Sequence, residues 1–150
     1  MRHILVLHGP NLDALGSREP AVYGRLSLAD IDRRLRDLAP QIGCEVECRQ
    51  SNHEGVLIDA LYASQPRTEG VLLNPGGLTH TSVALRDAVA AIGRPVVEVH
   101  LSNTASREEF RRRSLISGVA IGVVQGFGAE SYLLGLRALA THLDGASARG

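Results

Sequence analysis

The sequence predicts a flavodoxin-like α/β domain, a doubly wound five-stranded parallel sheet in the order 2-1-3-4-5. Three observations carry that prediction. Short apolar, β-favouring runs alternate with helical stripes from end to end; the runs are nearly continuous, as strands buried on both faces require; and no linker, repeat or low-complexity block interrupts them. A chain of 150 residues with 44% apolar content can bury one core of this size. Residues 1–144 are therefore read as a single domain and residues 145–150, small and polar, as a disordered tail.

The strand runs are His3 to Leu7, Cys44 to Arg49, Gly70 to Leu73, Pro95 to Val99 and Val119 to Val124. Between them, apolar residues recur at helical spacing: Leu28, Ile31, Leu35, Leu38 and Ile42; Leu57, Ile58 and Leu61; Leu85, Ala88, Val89 and Ile92. A final stripe of Leu133, Leu136, Leu139, Ala140 and Leu143 closes the domain. Ser27, with Asp30 three residues on, reads as the N-cap of the first helix. Ser106 to Ser114 predicts a further short helix. Cys44 and Cys48 flank Val46 at period-2 spacing, which places both on one strand face as small apolar residues rather than in a metal knuckle.

Charge and composition exclude several functions. All 16 basic residues are arginine, so no mechanism that needs a lysine amine is open, neither a Schiff base nor a phosphate-loop lysine. Zero formal net charge removes the basic footprint of nucleic-acid binding. No apolar run reaches the roughly 18 residues of a membrane span, and the stretch after Met1 ends at His8-Gly9-Pro10 without a cleavage site, so a cytoplasmic protein is expected.

Ligands of an open α/β sheet bind outside the carboxyl ends of the strands. Those ends are polar here: His8-Gly9-Pro10-Asn11, Gln50-Ser51-Asn52-His53-Glu54, Asn74-Pro75-Gly76-Gly77 and Glu98-Val99-His100-Leu101-Ser102-Asn103. Gly76 and Gly77 allow close approach of backbone to ligand, and Thr79 to Ser82 opens a helix whose free N–H groups favour an anion. His8 and His53 neighbour this edge without an assigned role, and His3 and His142 read as structural.

The connection from residue 11 to about residue 25 has no period of its own and reads as a lid. It carries Arg18, Glu19 and Tyr23. A tyrosine hydroxyl ordinarily ionises near pH 10, and a nearby guanidinium lowers that by favouring the phenolate, so Tyr23 can serve as a general base. A tyrosine packed as a loop anchor fits these residues equally well. On the third helix, His80 and Asp87 share a stripe with Ala84 and Ala91 opposite the apolar one, which predicts a second subunit packed beside the site. The acids of Arg107-Glu108-Glu109-Phe110-Arg111-Arg112-Arg113 precede its last arginines, as a helix dipole favours, and most of the run reads as solvated surface. The six histidines are scattered without zincin spacing, and no glycine triplet of a dinucleotide fold follows the first strand, so neither metal nor cofactor is expected.

Taken together, Gly9-Pro10-Asn11-Leu12, Arg18-Glu19-Pro20 with Tyr23-Gly24, Gln50 to Gly55, Asn74 to Gly77 with Thr79 to Ser82, Glu98 to Asn103 and Arg107 to Arg111 resemble the type II 3-dehydroquinate dehydratases over roughly residues 3–143. The resemblance implies a lyase that converts 3-dehydroquinate to 3-dehydroshikimate by trans dehydration through an enolate, in the shikimate route to chorismate and aromatic amino acids or in quinate breakdown. No cofactor is implied. Tyr23 is then the proton acceptor, Arg18 keeps it ionised, Asn11 stabilises the enolate through a bound water, and His100 protonates the departing hydroxyl, oriented by Glu98. By the same resemblance Asn74 and the backbone of Leu101 and Ser102 take the substrate carboxylate, while His80, Asp87 and Arg111 read the ring hydroxyls, Asp87 from a neighbouring subunit of a homododecamer built as four trimers.

The sequence departs from the family pattern at Asp13-Ala14, Ser17 and Leu78, positions that line or hinge the lid rather than donate protons. The alternative of another class is a non-catalytic flavodoxin-like sensor or receiver. A receiver needs clustered acids after strand one and a lysine after strand five, and a sensor that had lost turnover would lack Tyr23, Arg18 or His100, all of which are present.

Overall fold

The computed structural model describes residues 1–16 and 26–149, with side chains described to residue 146. Five strands, β1 (Arg2–His8), β2 (Cys44–Gln50), β3 (Gly70–Asn74), β4 (Val96–His100) and β5 (Gly122–Gln125), form one parallel sheet in the order β2-β1-β3-β4-β5. This is the predicted order. Four helices, α1 (Leu28–Leu38), α2 (Glu54–Ala63), α3 (Val83–Ala91) and α4 (Glu130–Arg149), connect and cover it.

Alternation along the strands sorts the core into two layers. Ile4, Val6, Leu72, Val97 and Val99 pack against α1 and α4 through Ile31, Leu35, Leu136 and Leu139, whereas Leu5, Leu7, Val71, Leu73 and Val96 pack against α2 and α3 through Leu57, Leu61, Leu85 and Val89. Cys44 is buried in the first layer with Cys48 and Val46 packed beside it, on the shared face that their spacing predicts. Leu72 is fully enclosed at the centre of the sheet, where truncation to alanine costs roughly 2–5 kcal/mol.

Ser27 caps α1 as predicted: its hydroxyl accepts from Asp30 N at 3.1 Å, and the Asp30 carboxylate accepts from Ser27 N at 3.1 Å. Four details differ from the sequence reading. The segment predicted as a helix over 106–114 instead holds two 3₁₀ turns, Thr104–Ser106 and Glu109–Arg111, because Asn103 caps the first turn and the chain must bend back to the strand ends. Strand β5 begins at Gly122 rather than Val119, since Ser117–Val119 closes a 3₁₀ turn on Ile116.

Helix α3 begins at Val83, because the Ser82 hydroxyl takes the Leu85 N–H at 2.9 Å. His80 therefore falls in the preceding 3₁₀ turn, Gly76–His80, and does not share the exposed face of Ala84, Asp87 and Ala91. Finally, α4 continues to Arg149 where a disordered tail over 145–150 is predicted; Leu143 is the last core contact, and alanine and arginine beyond it propagate a helix already nucleated. Among the described residues no helix is long and apolar enough to cross a membrane.

Candidate active site

The carboxyl ends of β1, β3 and β4 open onto a cavity of about 180 Å³. Two glycines let the loops after β1 and β3 meet there. A Cβ on Gly9 would stand 2.5 Å from the Pro75 carbonyl oxygen, and Gly76 has a left-handed φ of 59° with the Pro10 carbonyl 3.0 Å from where its Cβ would be. Asn11, also left-handed at φ 71°, follows directly, and asparagine is among the few side chains that tolerate that region. Its backbone N–H donates to Asn52 Oδ1 at 2.8 Å, and Gln50 Nε2 donates to both Asn52 Oδ1 and the Gly9 carbonyl. The amides at the end of β2 thus brace the loop that presents Asn11.

Asn11, Asn74, His80, His100, Leu101, Ser102 and Arg111 all line the cavity. The sequence brings the same seven forward. His80 donates from Nδ1 to the Arg113 carbonyl at 2.7 Å, which leaves Nε2 as the free ring nitrogen. Arg111 donates to Glu108 at 3.1 Å and stacks 4.9 Å over the Phe110 ring. Arg107, which the sequence reading leaves without a role, also lines the cavity and donates to Ser102 Oγ at 3.3 Å. Two guanidinium groups at one mouth suit an anionic ligand.

Glu98 lies behind His100 rather than in the cavity. The two share a strand face, and the wholly buried Glu98 carboxylate accepts His100 Nε2–H at 2.5 Å, Ser117 Oγ at 2.6 Å, Thr79 Oγ1 at 2.6 Å and Ser114 Oγ at 3.0 Å. Burial opposes its ionisation, but the hydrogen bonds from His100, Ser117 and Thr79 outweigh that and bring the carboxyl down to about 2. His100 thus rests on a fixed anion, with Nδ1 left for a ligand. Thr79 enters the sequence analysis only as part of the Thr79 to Ser82 stretch, and neither it nor Ser114 nor Ser117 carries a sequence signal for contact with Glu98, because only the fold gathers them.

Asp87 is exposed on α3 and does not line the cavity of its own chain. Arg18 and Tyr23 lie outside the described residues, as does most of the predicted lid; its first residues form a 3₁₀ turn, Leu12–Ala14, with Leu12 and Leu15 buried. His53, at the start of α2, is exposed. Donor atoms of His8, Asp32 and Cys48 lie within 4.8 Å of one another. His8 Nε2 and Asp32 Oδ1 bond each other directly at 2.7 Å, and burial together with the Asp32 charge pushes the Cys48 thiol up to about 12, so this cluster is a hydrogen-bonded group without a ready thiolate.

A carboxylate-backed imidazole facing amides and guanidinium groups, at the carboxyl edge of a doubly wound sheet, defines an acid–base enzyme of the α/β class. Comparison with known proteins narrows the class. Residues 2–140 match the model of the Dehydroquinase class II family, and the chain belongs to that family. It is 58% identical over 140 residues to a 3-dehydroquinate dehydratase of Gloeobacter violaceus, covering 93% of this chain and 88% of the relative. A type II dehydroquinase structure from Butyrivibrio crossotus superposes with a TM-score of 0.90 at 39% identity, covering 92% of this chain and 97% of the other. One from Propionibacterium acnes gives the same TM-score and identity over 94% and 97%.

Proposed function

We propose that this chain is a hydro-lyase that removes water from 3-dehydroquinate to give 3-dehydroshikimate, a step of the shikimate pathway. Membership of the family supports the activity and the substrate. The observation that carries the chemistry is His100 at the cavity wall with its Nε2 held by the buried Glu98 carboxylate. An acid is needed there because the leaving hydroxyl departs poorly as hydroxide.

In this reading Tyr23, as phenolate, takes the proton from the carbon beside the ketone, and Arg18 keeps the phenol ionised. The electron pair of the broken C–H bond forms an enolate, whose oxyanion Asn11 stabilises through a bound water. The pair then returns to form the C=C bond as the C–O bond breaks, and His100 gives its proton to the departing oxygen. One water leaves, and no oxidant, reductant or cofactor is consumed. Asn74 and the backbone of Leu101 and Ser102 hold the carboxylate; His80, Arg111 and Asp87 read the ring hydroxyls.

Asp87 is exposed on a face flanked by Ala84 and Ala91, small residues that admit another helix closely, and in this reading it reaches a neighbouring subunit's site. A homododecamer of four trimers provides such neighbours. In this reading the enzyme works in the cytoplasm, in keeping with the lack, among the described residues, of a helix long and apolar enough to cross a membrane.

Ultraviolet absorbance of the protein mixed with 3-dehydroquinate tests the reaction, because the product is conjugated and the substrate is not. Prior treatment of the protein with substrate and borohydride, followed by removal of both, should leave that rise unchanged, since a chain without lysine has no side-chain amine to trap as an imine. A flat trace with bound substrate would instead mark a sensor.

A further inference from the structure

Behind the cavity wall a row of buried polar groups runs from Asn74 to Asp32. The Tyr132 hydroxyl lies 2.9 Å from Asn74 Nδ2 and 2.8 Å from His8 Nδ1, and His8 Nε2 lies 2.7 Å from Asp32 Oδ1. Tyr132 is wholly buried and His8 is 1% exposed. Neither they nor Asp32 line the cavity, and the proposed reaction uses none of the three.

The polarity of the row follows from what each group can donate. An amide nitrogen only donates, so the Tyr132 oxygen accepts from Asn74. Burial raises the Tyr132 phenol above its ordinary value, which keeps its proton in place, and that O–H points to His8 Nδ1. His8 is then the Nε2–H tautomer and donates to Asp32, whose ionised carboxylate only accepts. At the other end, Asn74 Oδ1 accepts from Gly76 N at 3.0 Å. The amide can neither flip nor rotate without losing both partners. Its second Nδ2 hydrogen is then an unused donor, while Oδ1 is held toward the Gly76 N–H, and Asn74 lines the cavity.

We infer that Tyr132, His8 and Asp32 are positioning residues that lock the Asn74 amide in the one orientation that offers its unused N–H to the substrate. A locked N–H suits a carboxylate oxygen and rejects a ligand that offers a donor at the same place. The inference rests on the proposed role of Asn74 in holding the substrate carboxylate.

Steady-state kinetics of Tyr132→Phe, Asn74→Ala and the double variant separate the two claims. Tyr132→Phe keeps the buried ring and removes only the hydroxyl; KM should rise by roughly fivefold with kcat little changed, the pattern of a lost ground-state hold. The double variant should then be no worse than Asn74→Ala alone. Wild-type KM in Asn74→Ala would refute the role of Asn74 itself. A raised KM there, beside wild-type KM in a folded Tyr132→Phe, would overturn the relay. Nitrogen-15 spectra of His8 in the unmodified protein give an independent readout if Tyr132→Phe does not fold. A protonated Nε2 and a bare Nδ1 are expected, and the opposite tautomer would reverse the polarity and overturn the inference.

Discussion

Glu98 and His100 stand two residues apart on β4, and the buried carboxylate of the first holds Nε2 of the second at 2.5 Å. Residues at i and i+2 of a strand share a face, so the dyad needs no loop to assemble it. Strand geometry aims the carboxylate, and the Thr79, Ser114 and Ser117 hydroxyls keep it from turning away.

That arrangement gives stability a pH dependence of known sign. The Glu98 carboxyl is lowered from 4.5 to about 2 in the folded chain. A lowered carboxyl contributes stability that is complete above the unfolded value and is lost as pH falls toward the folded one, here up to about 3 kcal/mol. Glu98→Gln lacks this contribution. Urea unfolding should show the variant well below wild type at neutral pH, with the gap closing as pH drops from about 5 toward about 2.5. A gap independent of pH would mean that the ionised carboxylate is not what the hydroxyls hold. Turnover of Glu98→Gln should also fall, as the imidazole loses its anion.

Asn11 combines a left-handed backbone with a side chain facing the cavity, and two substitutions separate these. Asn11→Gly keeps the backbone and removes the amide, whereas Asn11→Ala removes the amide and adds about 1 kcal/mol of backbone strain. Both variants should lose about 100-fold in kcat if the amide stabilises the enolate, and only the alanine variant should show a markedly lower Tm. Wild-type turnover in Asn11→Gly would reduce Asn11 to a turn residue.

How much of this is legible in the sequence depends on the kind of signal. Strand order and the cavity edge follow from apolar runs such as Val71-Leu72-Leu73 and the polar residues after them, since burial on both faces writes itself into composition. Helix starts are legible where the cap is local: Ser27 with Asp30 is read correctly, whereas the onset of α3 is set by Ser82, and His80 moves off its stripe. Contacts between distant segments are not legible. Ser114 and Ser117 reach Glu98, and Tyr132 reaches His8, only because loops and α4 fold back onto the sheet. Seven of the cavity-lining residues are already named as site candidates in the sequence because six motifs in order resemble one family. Arg107 is missed because its run reads as a solvated helix face.

The proposed pair of Arg18 and Tyr23 predicts a shift in the pH profile. Without the guanidinium the phenol ionises less readily, so the rise of kcat/KM with pH in Arg18→Ala should move to higher pH. Tyr23→Phe should lose turnover by several orders of magnitude at every pH while still binding substrate. An unmoved profile in Arg18→Ala would leave the arginine a binding or closing role.

Asp87 offers the most discriminating experiment on assembly. It is exposed on α3 and absent from the cavity of its own chain, so a role in substrate recognition requires the cavity of another copy. Asp87→Ala and His100→Ala, each of low activity, should complement when mixed, dissociated and reassembled. A site built from the His100-bearing chain and a neighbour that retains Asp87 is complete, and random assembly makes on the order of a quarter of the sites so. Recovered activity should therefore approach that fraction of wild type. No recovery from hybrids shown to have formed would withdraw Asp87 from the neighbouring site, and the exposed alanines beside it would then mark an ordinary helix face.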